Sequence, residues 1–153
     1  MPPATPCARP PVGDMLVIGV GNDLRRDDAV GRVVASTIEA MALPGVRVLT
    51  RSQLVPELVE AMADSDRVVV VDASVESISL TTRVATPGMD VALTHHGSPE
   101  SLVSLARTIG LELPDVYVVG VPAADLGLGE GLTAPTAELV PKAVDMVLTL
   151  LRR

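Results

Sequence analysis

Apolar runs alternate with polar, glycine-marked breaks along this chain, and each run carries one of two periods. Met15 to Val20 is a short continuous apolar run, the pattern of a strand buried on both faces. It breaks at Gly19 and Gly21, and Val30, Val33, Val34, Ile38 and Met41 then recur at helical spacing, predicting a first helix. Pro44-Gly45 marks a turn and Val46 to Leu49 a second short strand. Pro56 leads into a helix with Leu58, Val59 and Met62 facing inward, stopped by Asp64-Ser65-Asp66. Arg67 to Val71 holds four consecutive valines and predicts a third strand at the sheet centre, ending directly in Asp72-Ala73-Ser74. Thr81 to Ala85 is short and polar, as an edge strand is, and Thr86-Pro87-Gly88 opens a long loop to Gly97. Ser98 is a natural cap and Pro99 a natural first residue for a helix reaching Ile109. Asp115 to Val121 is the last strand. A glycine-rich loop, Gly127 to Gly131, precedes a final helix from Thr133 to Arg152, in which Pro141 is expected to introduce a kink near the start.

The order β-α-β-α-β-β-α-β-α contains no repeat and no second-domain boundary. It predicts a three-layer α/β/α sandwich around a mostly parallel five-stranded sheet, one domain over residues 15–153. The 153 residues suffice for a sizeable core. The first fourteen residues hold five prolines and no signal-like apolar stretch, and read as a disordered tail.

Composition narrows the function classes. There is no Trp, no Phe and a single Tyr, so the core is aliphatic and stacking on nucleic-acid bases is disfavoured. A net charge of -7 argues against nucleic acid and against an anionic membrane surface. No apolar run approaches the length of a membrane span. Cys7, the only cysteine, allows neither a disulfide framework nor a thiolate metal cluster, as expected of a cytoplasmic protein.

Three features fall at the carboxyl ends of strands or in the loops beside them: Asp27 and Asp28 after the first strand, Asp72 after the third, and the only histidines, His95 and His96. In many doubly wound sheets strands one and three are neighbours, and ligands bind at that edge. Two carboxylates and an imidazole there would suit a divalent transition metal with positions left open. Taken singly, each residue has a plainer reading. Asp72 fits a turn, one acid of the pair fits a helix amino end, and a loop histidine fits solvent. Their convergence on one rim favours function.

Rival motifs fail on particular residues. Gly19-x-Gly21 lacks the third glycine of a dinucleotide turn, since Leu24 stands in its place. A phospho-acceptor receiver needs a lysine after its last strand, whereas Lys142 in the final helix is the only lysine. No Gly-x-Ser-x-Gly elbow is present for a serine hydrolase.

Gly19-Val-Gly-Asn-Asp-Leu-Arg-Arg-Asp-Asp-Ala-Val-Gly31 resembles the signature of the hydrogenase maturation endopeptidases. The resemblance continues through Val69-Val-Val-Asp-Ala73, Thr94-His-His-Gly-Ser-Pro99, Val118-Val-Gly-Val121 and Gly129-Glu-Gly-Leu-Thr133, and spans the chain from Met15 onward. It implies a twisted five-stranded sheet with helices on both faces. It implies an endopeptidase that removes the carboxy-terminal extension of a nickel–iron hydrogenase large-subunit precursor, after nickel insertion. By position it assigns Asp28, Asp72 and His95 as metal-contacting and catalytic residues, with His96 as the alternative ligand. The metal implied is the nickel of the substrate, and other divalent cations such as cadmium suit the same donors. Either the metal or a carboxylate activates the attacking water. Asn22 and the amides after Gly21 orient the Asp pair, bind the scissile region of the substrate, or serve only the turn. The expected partner is the precursor subunit, with no nucleic acid or membrane, and the expected state is a monomer. Two other readings make different predictions. A non-catalytic, metal-dependent binding or chaperone module for the same subunit would hold the precursor without shortening it. A small-molecule-binding domain with an incidental acidic rim would have no affinity for divalent metal.

Overall fold

The valine-rich runs lie side by side because a strand covered on both faces needs β-branched residues at every position. The computed structural model describes residues 14–87 and 97–152. Its strands are β1 (Met15–Val20), β2 (Val46–Arg51), β3 (Arg67–Ser74), β4 (Thr81–Val84) and β5 (Val116–Pro122). Its α-helices are α1 (Val30–Ala40), α2 (Leu58–Ala63), α3 (Pro99–Thr108) and α4 (Ala134–Arg152). The strands form one sheet in the order β2-β1-β3-β5-β4, parallel throughout except for β4, which runs antiparallel to β5 at the edge.

Alternation along the strands divides the core into two layers. Leu16, Ile18, Val68, Val70, Val116 and Val118 face α2 and α3, meeting Leu58, Val59, Met62, Leu102 and Ala106. Val17, Val69, Val71, Val119 and Val121 face α1 and α4, meeting Val34, Ile38, Ala143 and Val147. Those two layers with the sheet between them make the α/β/α sandwich. Gly31 lets α1 approach the sheet closely, since a Cβ there would collide with the carbonyl oxygens of Val71 and Val20.

Several boundaries differ from the pattern of the sequence. β3 extends three residues beyond Val71, because Asp72, Ala73 and Ser74 continue the ladder opposite Gly120, Val121 and Pro122. Asp72 is therefore inside the strand and not after it. A single-turn 3-10 helix, Arg26–Ala29, precedes α1, so Asp27 and Asp28 are already in helical backbone. The buried stripe of α1 is Val30, Gly31, Val34, Ala35 and Ile38. Val33 is half-buried, and Met41 lies one residue past the helix and is 43% exposed. Pro141 lies inside α4 without ending it. The first thirteen residues of the proline-rich tail lie outside the described residues, whereas the Asp14 carbonyl accepts a hydrogen bond from the Asp66 N–H at 2.7 Å. Among the described residues no helix is long and apolar enough to cross a membrane.

The strand order decides where a site can form. From β1 the chain crosses over α1 to β2, and β3 continues the sheet in the opposite direction through β5. The segments leaving β1 and β3 diverge, and a crevice opens between the carboxyl ends of these neighbours.

Candidate functional site

Asp28 is held at that crevice by the turn that follows β1. Gly21 has φ +152°, and a Cβ there would strike the carbonyl of Asp28, so glycine lets the two segments touch. The Asn22 side chain closes the turn by accepting from the Leu24 N–H at 2.9 Å. The Asn22 backbone N–H donates to Asp28 Oδ2 at 2.9 Å. Two of the readings of this residue hold together: its side chain serves the turn and its amide orients the acid. Asp28 is half-buried, with its own N–H bonded to the Arg25 carbonyl at 3.0 Å.

Its neighbour Asp27 has a different task. Asp27 is wholly buried at 0% exposure. Its Oδ2 accepts from the N–H groups of Ala124 and Asp125, each at 2.9 Å, and from the Thr133 hydroxyl at 2.8 Å. Its Oδ1 accepts from the Thr133 N–H at 2.7 Å. Burial works against the charge, but these donors together outweigh it and hold the carboxyl below the usual aspartate value of 3.8. The Asp27 carboxylate is thus a clamp onto the segment before α4. No local pattern signals this, since the partners lie 97 to 106 residues away in sequence.

Asp72 sits across the crevice, half-buried in β3, with Oδ1 accepting from the Ala73 N–H at 2.8 Å. Burial is the main cause that raises its pKa, to about 6. The Ala73 N–H pulls it down, the like charge of Asp28 raises it, and Arg83 opposes with its positive charge. An aspartate of β1's turn and one of β3 therefore feel each other's charge. A cleft of about 560 Å³ opens beside Asp72, lined among others by Ser74, Thr81, Arg83, Pro99 and Gly120. Gly120 stands opposite both Asp72 and Thr81 in the sheet and leaves that floor free of a side chain. Arg83 is tied to Glu100 of α3, Nη2 to Oε1 at 2.8 Å and Nε to Oε1 at 3.0 Å, which joins the sheet edge to the start of that helix.

Of the three residues expected to contact metal, Asp28 and Asp72 come together. His95 lies outside the described residues, as does His96. Among the described residues no three His, Cys, Asp or Glu side chains gather as a metal site. The pair itself offers half-buried carboxylate oxygens, donors that suit a divalent cation completed by ligands from elsewhere. An aspartate raised to about 6 beside a second carboxylate is an arrangement suited to moving protons.

No family model matches the chain, and no curated protein sequence matches it. Solved structures do. The hydrogenase maturating endopeptidase HybD from Escherichia coli is 26% identical, with a TM-score of 0.72 over 90% of this chain and 91% of that one. A solution structure of an endopeptidase from Escherichia coli is 28% identical, with a TM-score of 0.70 over 90% and 91% of the two chains. The nickel–iron hydrogenase maturation protease HycI from Thermococcus kodakarensis is 25% identical, with a TM-score of 0.69 over 92% and 94%. In each case the likeness covers nine-tenths or more of this chain. In fold, and over nine-tenths of its length, the chain is thus similar to the hydrogenase maturation endopeptidases, which are proteases.

Proposed function

We propose that this protease removes the carboxy-terminal extension of a nickel–iron hydrogenase large-subunit precursor, and that it recognises the nickel already seated in that substrate. Asp28, Asp72 and His95 contact the substrate's metal in this reading. The observation that carries it is the pairing of Asp28, in the 3-10 turn that follows β1, with Asp72, in the neighbouring strand β3, each half-buried, with Asp28 helping to raise the Asp72 pKa. Two carboxylates facing each other repel unless a cation or a shared proton lies between them. A metal centre arriving with the substrate would relieve that repulsion, which makes its binding favourable here and leaves the free enzyme poised.

The protein's own groups then do three things. Asp28, aligned by the Asn22 N–H, presents an oxygen to the incoming cation. The cleft beside Asp72 accepts the extended peptide that flanks the cleaved bond, with Thr81, Arg83 and Gly120 along it. Asp72, with a pKa of about 6, is largely ionised at neutral pH yet basic enough to take a proton from water. The test is processing of nickel-loaded precursor by Asp28→Ala and Asp72→Ala, with the length of the product read by mass spectrometry. Both variants are expected to leave it uncut while remaining folded. Normal cleavage by either refutes the assignment. Stable capture of uncut precursor by the unsubstituted protein would identify a binder in place of a peptidase.

A further inference from the structure

The reading above leaves one buried carboxylate, Asp27, without a task. Asp27 accepts four hydrogen bonds, all from the segment before α4 or from Thr133 at its start. The backbone around it is bound to the same segment. The Asp27 N–H donates to the Asp125 carbonyl at 3.0 Å and the Arg26 N–H to Gly129 at 3.0 Å, while Gly129 returns its own N–H to Leu24 at 2.9 Å. Arg26 is held at φ +45°, a conformation that a non-glycine residue adopts only under constraint. Asp28 follows Asp27 inside the same 3-10 turn, where successive side chains point about 120° apart. One acid is therefore aimed into the protein and the next into the crevice. Among the described residues the Asp28 carboxylate accepts one hydrogen bond, from the Asn22 amide, so its position follows its backbone.

We infer that Asp27 and Thr133 are positioning residues for cleavage: their buried carboxylate–hydroxyl latch fixes the turn that aims Asp28 across the crevice at Asp72. This rests on the reading that Asp28 acts in processing. Displacing a reacting group by about 1 Å costs on the order of 100-fold in rate, so a latch of this kind shows in turnover and not in affinity. It also makes the start of α4 part of the catalytic frame, although α4 contributes no group to the cleft.

The experiment uses the full-length protein with Thr133→Val, which removes the hydroxyl at nearly constant volume, Thr133→Ser, which restores it, and Asp27→Asn. Two quantities are read: kcat and KM on nickel-loaded precursor, and hydrogen-exchange protection of the Asn22 amide in the free protein. Thr133→Val is expected to lower kcat on the order of tenfold, with KM within about twofold. Asn22 amide protection should fall on the order of tenfold as Asp28 loses its alignment, and Thr133→Ser should recover both. Asp27→Asn should lose more, since the amide nitrogen cannot accept the bonds at Oδ2. If Asp27→Asn does not fold, the valine and serine variants decide alone. Unchanged kcat in folded Thr133→Val, a loss confined to KM, or equal losses in the valine and serine variants would overturn the latch. Unchanged Asn22 protection overturns it whatever the activity. A wild-type protein that leaves loaded precursor uncut while Asn22 protection still falls overturns only the function on which the inference rests.

Discussion

Replacing Asp72 with Asn should stabilise the protein while abolishing processing. The folded chain keeps a proton on Asp72 up to about pH 6, against an ordinary value of 3.8. As pH rises, the unfolded chain gives up that proton first. The stabilisation it supplies is complete below pH 3.8, is lost between 3.8 and about 6, and is absent above. A displacement of roughly two pH units at ~1.4 kcal/mol each makes ionised Asp72 cost ~3 kcal/mol, and its partial exposure brings this to ~2 kcal/mol. The amide removes the charge and keeps the oxygen that accepts from the Ala73 N–H. Asp72→Asn should therefore exceed the wild type in unfolding free energy by ~2 kcal/mol at pH 7.5 and match it near pH 4. Urea unfolding followed by circular dichroism at half-unit pH steps measures the difference. Other carboxylates cancel in the comparison, and dilute samples are needed because the pI is about 4.7. A difference that stays constant from pH 4 to 7.5, or a destabilised variant, would refute the electrostatic reasoning.

Further outcomes follow from the same geometry. Asp28→Asn removes one of the causes that raise Asp72, so the Asp72 titration followed by carbon-13 NMR should move to lower pH; an unmoved titration would mean that the two acids do not interact. His95→Ala should impair processing more than His96→Ala, and the reverse order would shift the ligand by one residue. Val70→Asp buries an unpaired charge at a fully buried central position, so at least ~4 kcal/mol of stability should be lost and no cooperative thermal transition should remain.

What the sequence makes legible here depends on how locally each feature is determined. The strands announce themselves because two-sided burial demands unbroken aliphatic runs, and the neighbouring places of β1 and β3 follow from ordinary crossover rules. Ser98 and Pro99 mark the start of α3 correctly, with the Ser101 N–H donating to Ser98 Oγ at 3.1 Å. The end of β3 is not legible in this way. Asp72 to Ser74 look like a polar stop, yet they remain in the ladder because β5 continues beside them. The division of labour between Asp27 and Asp28 is equally hidden. Both are acids in the same turn, and only donors about a hundred residues distant decide which is buried. Thr133, ahead of the final helix, reads as an ordinary helix start, whereas its hydroxyl and amide both belong to Asp27. Chemistry concentrated in a strand-end turn can be read from sequence; the frame that aims it requires the fold.

The most direct measurement is a paired processing assay on one large-subunit precursor, prepared with and without nickel and incubated with the full-length protein, with product mass recorded over time. The nickel-loaded precursor is expected to lose its carboxy-terminal extension and the nickel-free one to stay intact. Cleavage of both at equal rates would contradict recognition through the metal.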